Sequence, residues 1–198
     1  MLLTTGQAAG ELGCAITTFR RLVYAGLLPG LTRRGVRVMI PLPVVQALST
    51  RLEAPLTRLD TEEIAVLRVD AAQRADGPDR NWIGFAATLT PDDLLKALRG
   101  WWRCDAESVA AGGVLPVTLS GYVVAVLTGL ERWEKNTEGR HAFPHARLAG
   151  YVTDLAAPHI TITSHTDGDR HLAELLLGKR LPSHSGGAIA YVSTNTTG

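Results

Sequence analysis

The sequence predicts an α+β fold in two parts: a helical unit with a basic hairpin over residues 1–54, then a small mainly-β barrel with appended helices over residues 57–198. Three observations predict it. Apolar residues at helical spacing, bracketed by capping and stop signals, fill the first quarter of the 198-residue chain. Short apolar runs separated by glycine or proline turns dominate the remainder. The charge changes where the pattern changes. Residues 1–54 carry six arginines against two glutamates, a net +4, and residues 55–198 carry a net −3. With 45% hydrophobic and 20% charged residues, the chain is globular and buries a core.

Thr4-Thr5-Gly6-Gln7 reads as a capping box, with a helix of about two turns running to Leu12. Gly13 supplies a turn. A second helix is expected over about Ala15–Ala25, stopped by Gly26 in a left-handed conformation. Ile16, Phe19, Leu22 and Val23 form its apolar stripe; Thr17, Arg20, Arg21 and Tyr24 fall at i, i+3, i+4 and i+7 on another. Two guanidiniums, a hydroxyl and a phenol on one face suit phosphates and the acceptor-rich edges of a DNA major groove. Arg33-Arg34-Gly35 reads as a tight turn between two short extended runs, with Arg37 on the second. Pro43 then starts a helix through Leu52. A basic hairpin after a helix pair can reach the DNA backbone or the minor groove beside a groove-bound helix. The alternative is a small helical unit whose solvated basic face serves protein contacts.

The ordered set Thr-Thr-Gly-Gln-Ala-Ala-Gly-Glu-Leu-Gly, Thr-Thr-Phe-Arg-Arg-Leu, Gly-Leu-Leu-Pro and Arg-Arg-Gly-Val-Arg-Val, over about residues 2–53, resembles the winged helix-turn-helix of the MerR and excisionase families. The resemblance implies binding to double-stranded DNA through the second helix and the wing. It places Thr17, Thr18, Arg20, Arg21, Tyr24, Arg33, Arg34 and Arg37 at the interface. This chain departs from the family at Ala15 and Ile16, where a serine cap and a polar residue are usual. Loss of that cap weakens the helix start by about 1 kcal/mol.

Pro55 to Asp60 reads as a connection, residues 62–69 as a strand, Gln73 to Asn81 as a polar loop, and Trp82 to Leu89 as another strand. Thr90-Pro91-Asp92-Asp93 starts a helix to Leu98: a threonine cap, a proline in the first turn and two acids against the macrodipole. Residues 114–119, 121–134, 159–163 and 187–193 read as strands. The segment Tyr122 to Leu127 is apolar on both alternating faces, as in a strand covered on both sides.

Asp-Leu-Leu-x-Ala-x-Arg-Gly-Trp-Trp-Arg, Glu-Arg-Trp, Arg-His-Ala-Phe, Leu-Gly-Lys-Arg-Leu-Pro and Gly-Gly-Ala-Ile-Ala-Tyr, over about residues 93–192, resemble PUA-like domains. That group of barrels includes readers of RNA and of modified bases. The resemblance implies a pocket for a flat base or small ligand, lined by Trp101, Trp102, Tyr122 and Trp133. Arg103, Arg132, Lys179 and Arg180 would stand near its phosphates. Base–aromatic stacking is worth about 1–3 kcal/mol per base. The alternative is that these aromatics build the barrel core. Of the adjacent Trp101 and Trp102, one is expected to pack and the other to face outward.

Signals for other chemistry are lacking. Cys14 and Cys104 are 90 positions apart, with no disulfide or zinc spacing. His141 and His145 are interrupted by Pro144, which argues against a ligating helix. Leu-Leu-Leu-Gly-Lys-Arg lacks the rest of a phosphate-binding loop, and Asp167 and Asp169 read as part of a polar loop. No nucleophile elbow or dinucleotide fingerprint occurs, so the sequence offers no positive case for an enzyme, metal or cofactor. Without a leader pattern or long apolar run, a cytoplasmic protein is expected, and the arginine-rich, alanine-rich composition fits a bacterial source. The expectation is a transcriptional regulator with a ligand- or modified-base-sensing second domain, binding a repeated or palindromic site as a homodimer. The alternatives are an excisionase-like architectural factor, and an RNA- or modified-base-binding protein acting through the barrel.

Overall fold

The computed structural model describes residues 1–195; residues 196–198, the end of the expected second domain, lie outside the described residues. Strand β1 (Leu2–Thr4) leads into α1 (Thr5–Leu12), and Thr4 and Gln7 form the capping box that the sequence predicts. Gly13, left-handed at φ 71°, closes α1 and turns the chain into α2 (Ile16–Tyr24). Ala15 at the head of α2 makes no side-chain cap.

Strands β2 (Thr32–Arg34) and β3 (Arg37–Pro41) form the hairpin, and β1 adds to the other edge of β3. The hairpin turn is Gly35-Val36, one position later than the sequence reading. Arg33 and Arg34 therefore belong to a strand, and Gly35 at φ 63° takes the left-handed corner. Helix α3 (Leu42–Ser49) follows, ending three residues before the expected Leu52.

The remaining elements are β4 (Glu63–Arg68), β5 (Gln73–Arg74), β6 (Trp82–Ile83), α4 (Pro91–Leu98), β7 (Gly100–Trp102) and α5 (Ala106–Gly112). They continue with β8 (Leu115–Leu119), β9 (Tyr122–Thr128), β10 (Glu134–Lys135), β11 (His141–Ala142), β12 (Arg147–Asp154), β13 (His159–Ile162), α6 (Asp167–Leu176) and β14 (Ile189–Ser193). Six strands make the main sheet in the order β13-β12-β9-β8-β4-β14. It is antiparallel except for the β4–β8 pair, which is joined by a crossover carrying α4 and α5. The sheets are open. The closed barrel expected from the sequence is replaced by a mixed α+β arrangement in which β13 and β14 are edges. The parallel β4–β8 crossover, which no hairpin pattern announces, sets that order.

Several sequence readings shift. The strand expected over 121–134 stops at Thr128, and that expected over 82–89 is two residues long. Strand β12 and helices α5 and α6 were not expected. Asp167 and Asp169 are not in a loop; they lie in the first turn of α6, capped by the Thr166 hydroxyl, against the positive end of the helix dipole. At Gly150 a Cβ would stand 2.9 Å from the Thr161 carbonyl oxygen and 3.0 Å from Leu177, so its absence lets the sheet and the end of α6 meet.

Asp169 ties α6 to β12. Burial alone would raise its carboxyl, but the Arg147 guanidinium (3.0 and 3.2 Å) and the Ser164 hydroxyl (2.8 Å) outweigh burial and hold it below the usual carboxylate range. A carboxyl depressed in the folded state contributes stability that is complete above the unfolded value of about 3.9 and is lost as pH falls through the lower folded-state value. Asp169→Asn is expected to lose about 1–3 kcal/mol at pH 7. In urea melts, its difference from the parent should shrink towards pH 3.

One continuous cluster of buried side chains runs from Phe19, Leu22, Ile40 and Leu48 to the β4, β8, β9 and β12 side chains. Polar bonds reinforce this join. The Ala25 carbonyl, at the end of α2, accepts from Ala87 N–H (2.8 Å), and Leu27 accepts from Leu155 N–H (3.0 Å). Leu48, near the end of α3, accepts from the Tyr122 hydroxyl (3.2 Å). Arg180 donates its N–H to Leu52 and accepts from Ala54, both at 2.8 Å. Carbonyls at helix ends lack partners within their own helix, and here the later part of the chain supplies them.

Candidate nucleic-acid interface

Helix α2 buries Phe19 and Leu22 completely, which fixes its rotation. Thr17, Arg20 and Tyr24 are consequently exposed in one row, Tyr24 at 72%. Ile16 is also exposed, at the start of the helix. The opposite flank is not free. The Thr18 carbonyl accepts from the Ser120 hydroxyl (2.8 Å), and Arg21 Nε lies 2.5 Å from Asp70 Oδ1. The eight candidates of the N-terminal unit thus divide: Thr17, Arg20, Tyr24, Arg33, Arg34 and Arg37 face solvent, while Thr18 and Arg21 contact the later part of the chain.

The hairpin lies beside the exposed row. A trough of about 550 Å³ runs between them, with Thr5, Arg20, Tyr24, Val36 and Arg37 in its walls. Arg34 and Arg37 pair directly across the two strands. Like charges placed opposite each other repel, and an anion between them removes the repulsion. Among the described residues Arg20, Arg33, Arg34 and Arg37 form no ion pair within the chain. At the tip, Val36 is 95% exposed between Gly35 and Arg37. A small apolar tip flanked by guanidiniums can enter a minor groove as its arginines take phosphates.

The aromatics of the expected base pocket do not come together. Trp102 is buried, and its indole N–H donates to the Leu98 carbonyl at 2.8 Å. Tyr122 is buried against α3 in the main sheet, whereas Trp101 and Trp102 belong to the small sheet β10-β11-β7. Trp133 precedes β10 of that sheet and is 38% exposed, and Arg103 is exposed just after β7. Of the phosphate candidates, Arg132 is exposed. Lys179 donates to the Glu174 carbonyl (3.1 Å), and Arg180 lies 3.6 Å from Glu53.

The half-buried Trp101 instead lines a smaller hollow of about 210 Å³ with Arg80, Lys96, Arg99, Asp79 and Glu134. Arg80 donates to the Gly100 carbonyl and stands 5.7 Å from the centre of the Trp102 ring. Burial, and then the nearby Arg140 guanidinium, push Arg80 below the ordinary arginine value, and Asp79 partly restores it. The sequence did not single out Arg80, Lys96 or Arg99, because nothing in their spacing brings residues 80, 96 and 99 to one hollow. Nearby, burial and then the Asp105 carboxylate push the Cys104 thiol up to about 11, so it is neutral at pH 7. Its sulfur lies 3.9 Å from His141 Nδ1.

No protein-family model, curated protein or solved structure matches this chain. Among the described residues no helix is long and apolar enough to cross a membrane.

Proposed function

We propose that this chain is a DNA-binding transcriptional regulator. Residues 1–54 act as a winged helix-turn-helix of the MerR and excisionase kind, with α2 in the major groove and the β2–β3 hairpin as the wing. One observation carries the reading: Thr17, Arg20 and Tyr24 stand in an exposed row beside Arg34 and Arg37, with a trough between helix and hairpin. Arg20 and Tyr24 read base edges, and Arg33, Arg34 and Arg37 hold phosphates. The rest of the chain, built on an open mixed sheet, acts as a sensing unit for a small ligand or modified base. The hollow beside Trp101, where Arg80, Lys96 and Arg99 stand with Asp79 and Glu134, supports a flat polar ligand seated against the indole. A homodimer on a repeated site completes the reading, since one such unit covers only a short stretch of duplex.

The test is a salt titration of the intact chain against a mixed-sequence duplex pool. Three phosphate-facing arginines, Arg33, Arg34 and Arg37, predict a slope of about −3 in log K against log salt. Absence of association with any duplex in dilute buffer removes the reading.

A further inference from the structure

Helix α2 has a trough on each flank. One lies against the β2–β3 hairpin. On the other side lies a cleft of about 490 Å³, walled by Thr18 and Arg21 of α2, by Arg68 of the main sheet, by Ser120 in the turn between β8 and β9, and by the loop from Ser183 to Gly187. We propose that this second cleft receives the other phosphate strand of the duplex whose major groove holds α2. The later part of the chain, through Arg68 and the Ser183–Gly187 loop, is then a direct part of the DNA interface. This rests on the reading of α2 given above.

Geometry is the first support. A major groove is about 12 Å wide and a helix with its side chains about 10–12 Å across, so a groove-bound helix has one phosphate strand along each flank. A wall on only one flank would leave half of the backbone ungripped. Here each flank has a trough containing arginine: Arg20 and Arg37 on one side, Arg21 and Arg68 on the other.

Chemistry is the second. Thr18, Ser120, Ser183 and Ser185 line the cleft, the Ser120 and Ser185 hydroxyls being held by the Thr18 (2.8 Å) and Ile189 (2.7 Å) carbonyls, and Gly186 and Gly187 leave backbone uncovered by side chains. Arg68 is held in place by the carbonyls of Ser185 (2.8 Å) and Gly187 (3.5 Å), which sets the loop and the cation together. Asp70 is the one carboxylate among the described lining residues, and it sits on Arg21. Its oxygen takes the place beside the guanidinium that a phosphate oxygen would take. Both side chains are about half exposed, so this ion pair is weak in water and readily exchanged for a multiply charged backbone. Asp70 is thus a stand-in anion that DNA displaces.

The test uses the intact chain, a mixed-sequence duplex pool and fluorescence anisotropy over a range of salt. A Cβ at Gly186 meets nothing within 4 Å, and its backbone is not left-handed, so side chains are tolerated there. Gly186→Lys should tighten binding and Gly186→Glu weaken it, each by about three- to tenfold in dilute buffer, with the difference shrinking at high salt. Asp70→Asn should tighten binding about three- to tenfold in dilute buffer, because no carboxylate then competes for Arg21. If both Gly186 variants bind like the parent, or both shift the same way, while Arg20→Ala weakens binding, the cleft is not the strand path and the reading of α2 stands. If Arg20→Ala also leaves binding unchanged, the reading of α2 falls with it.

Discussion

A chain carrying both Arg20→Ala and Arg37→Ala is expected to bind duplex DNA roughly thirty- to twenty-five-thousand-fold more weakly than the parent, with an unchanged melting temperature. Each guanidinium in contact with a base edge or a phosphate contributes about 1–3 kcal/mol. Both side chains are exposed, and among the described residues neither makes an ion pair within the chain, so their loss leaves folding untouched. The single variants separate two roles. With α2 in the major groove as proposed, Arg20, in its exposed row, would read bases, so Arg20→Ala is expected to relax sequence preference. Arg37, on the hairpin, would hold backbone, so Arg37→Ala is expected to weaken all sequences alike and to lower the salt slope by about one phosphate. Genomic footprinting of parent and double variant in parallel checks this: identical footprints mean that the DNA lies on another surface.

Phe19→Ala is expected to cost about 3–5 kcal/mol and to lower the melting temperature by roughly 6–20 °C. Phe19 is fully buried on the inward face of α2, one residue from Arg20 and one turn from Leu22. The cavity cannot be filled from solvent, and α2 loses the side chain that sets its rotation. Phe19→Met, closer in volume, should lose less. Differential scanning calorimetry gives the stability, and duplex binding well below the transition shows whether α2 still presents its row. A loss under 1 kcal/mol would mean that α2 is held chiefly by its polar contacts with Ser120 and Asp70.

The short-range signals were legible in the sequence. The capping box at Thr4–Gln7, the helix over Ile16–Tyr24 and the helix opened by Thr90-Pro91 all follow from local chemistry, and the structure places them within a residue or so. Strand β12 was not legible, because Gly150 breaks its apolar pattern for the sake of the contact with Ala173 and Leu177. Helix α6 opens with Asp167-Gly168-Asp169, which reads as a loop until Arg147 is seen to pair with Asp169 from 22 positions away. The candidate interface was half legible. Helical spacing places Thr17, Arg20 and Arg21 on one side of a cylinder, but spacing within a helix cannot show that Ser120 and Asp70 approach one flank of it. The expected aromatic pocket failed for the same reason: Tyr122 and Trp102 each serve packing in a different place.

The carbonyls of Ala25, Leu27 and Leu48 take their partners from Ala87, Leu155 and Tyr122, and the backbone of Arg180 is stitched to Leu52 and Ala54. A chimera cut at residue 54 would therefore open a seam. The grafted portion would bring carbonyls aimed at donors the new host does not hold, and Leu22 and Leu48 would lose part of their covering wall. Retargeting by fragment exchange should fail in this chain. Altering single side chains along the exposed row of α2 should succeed, because that row is the part of the helix the seam does not use.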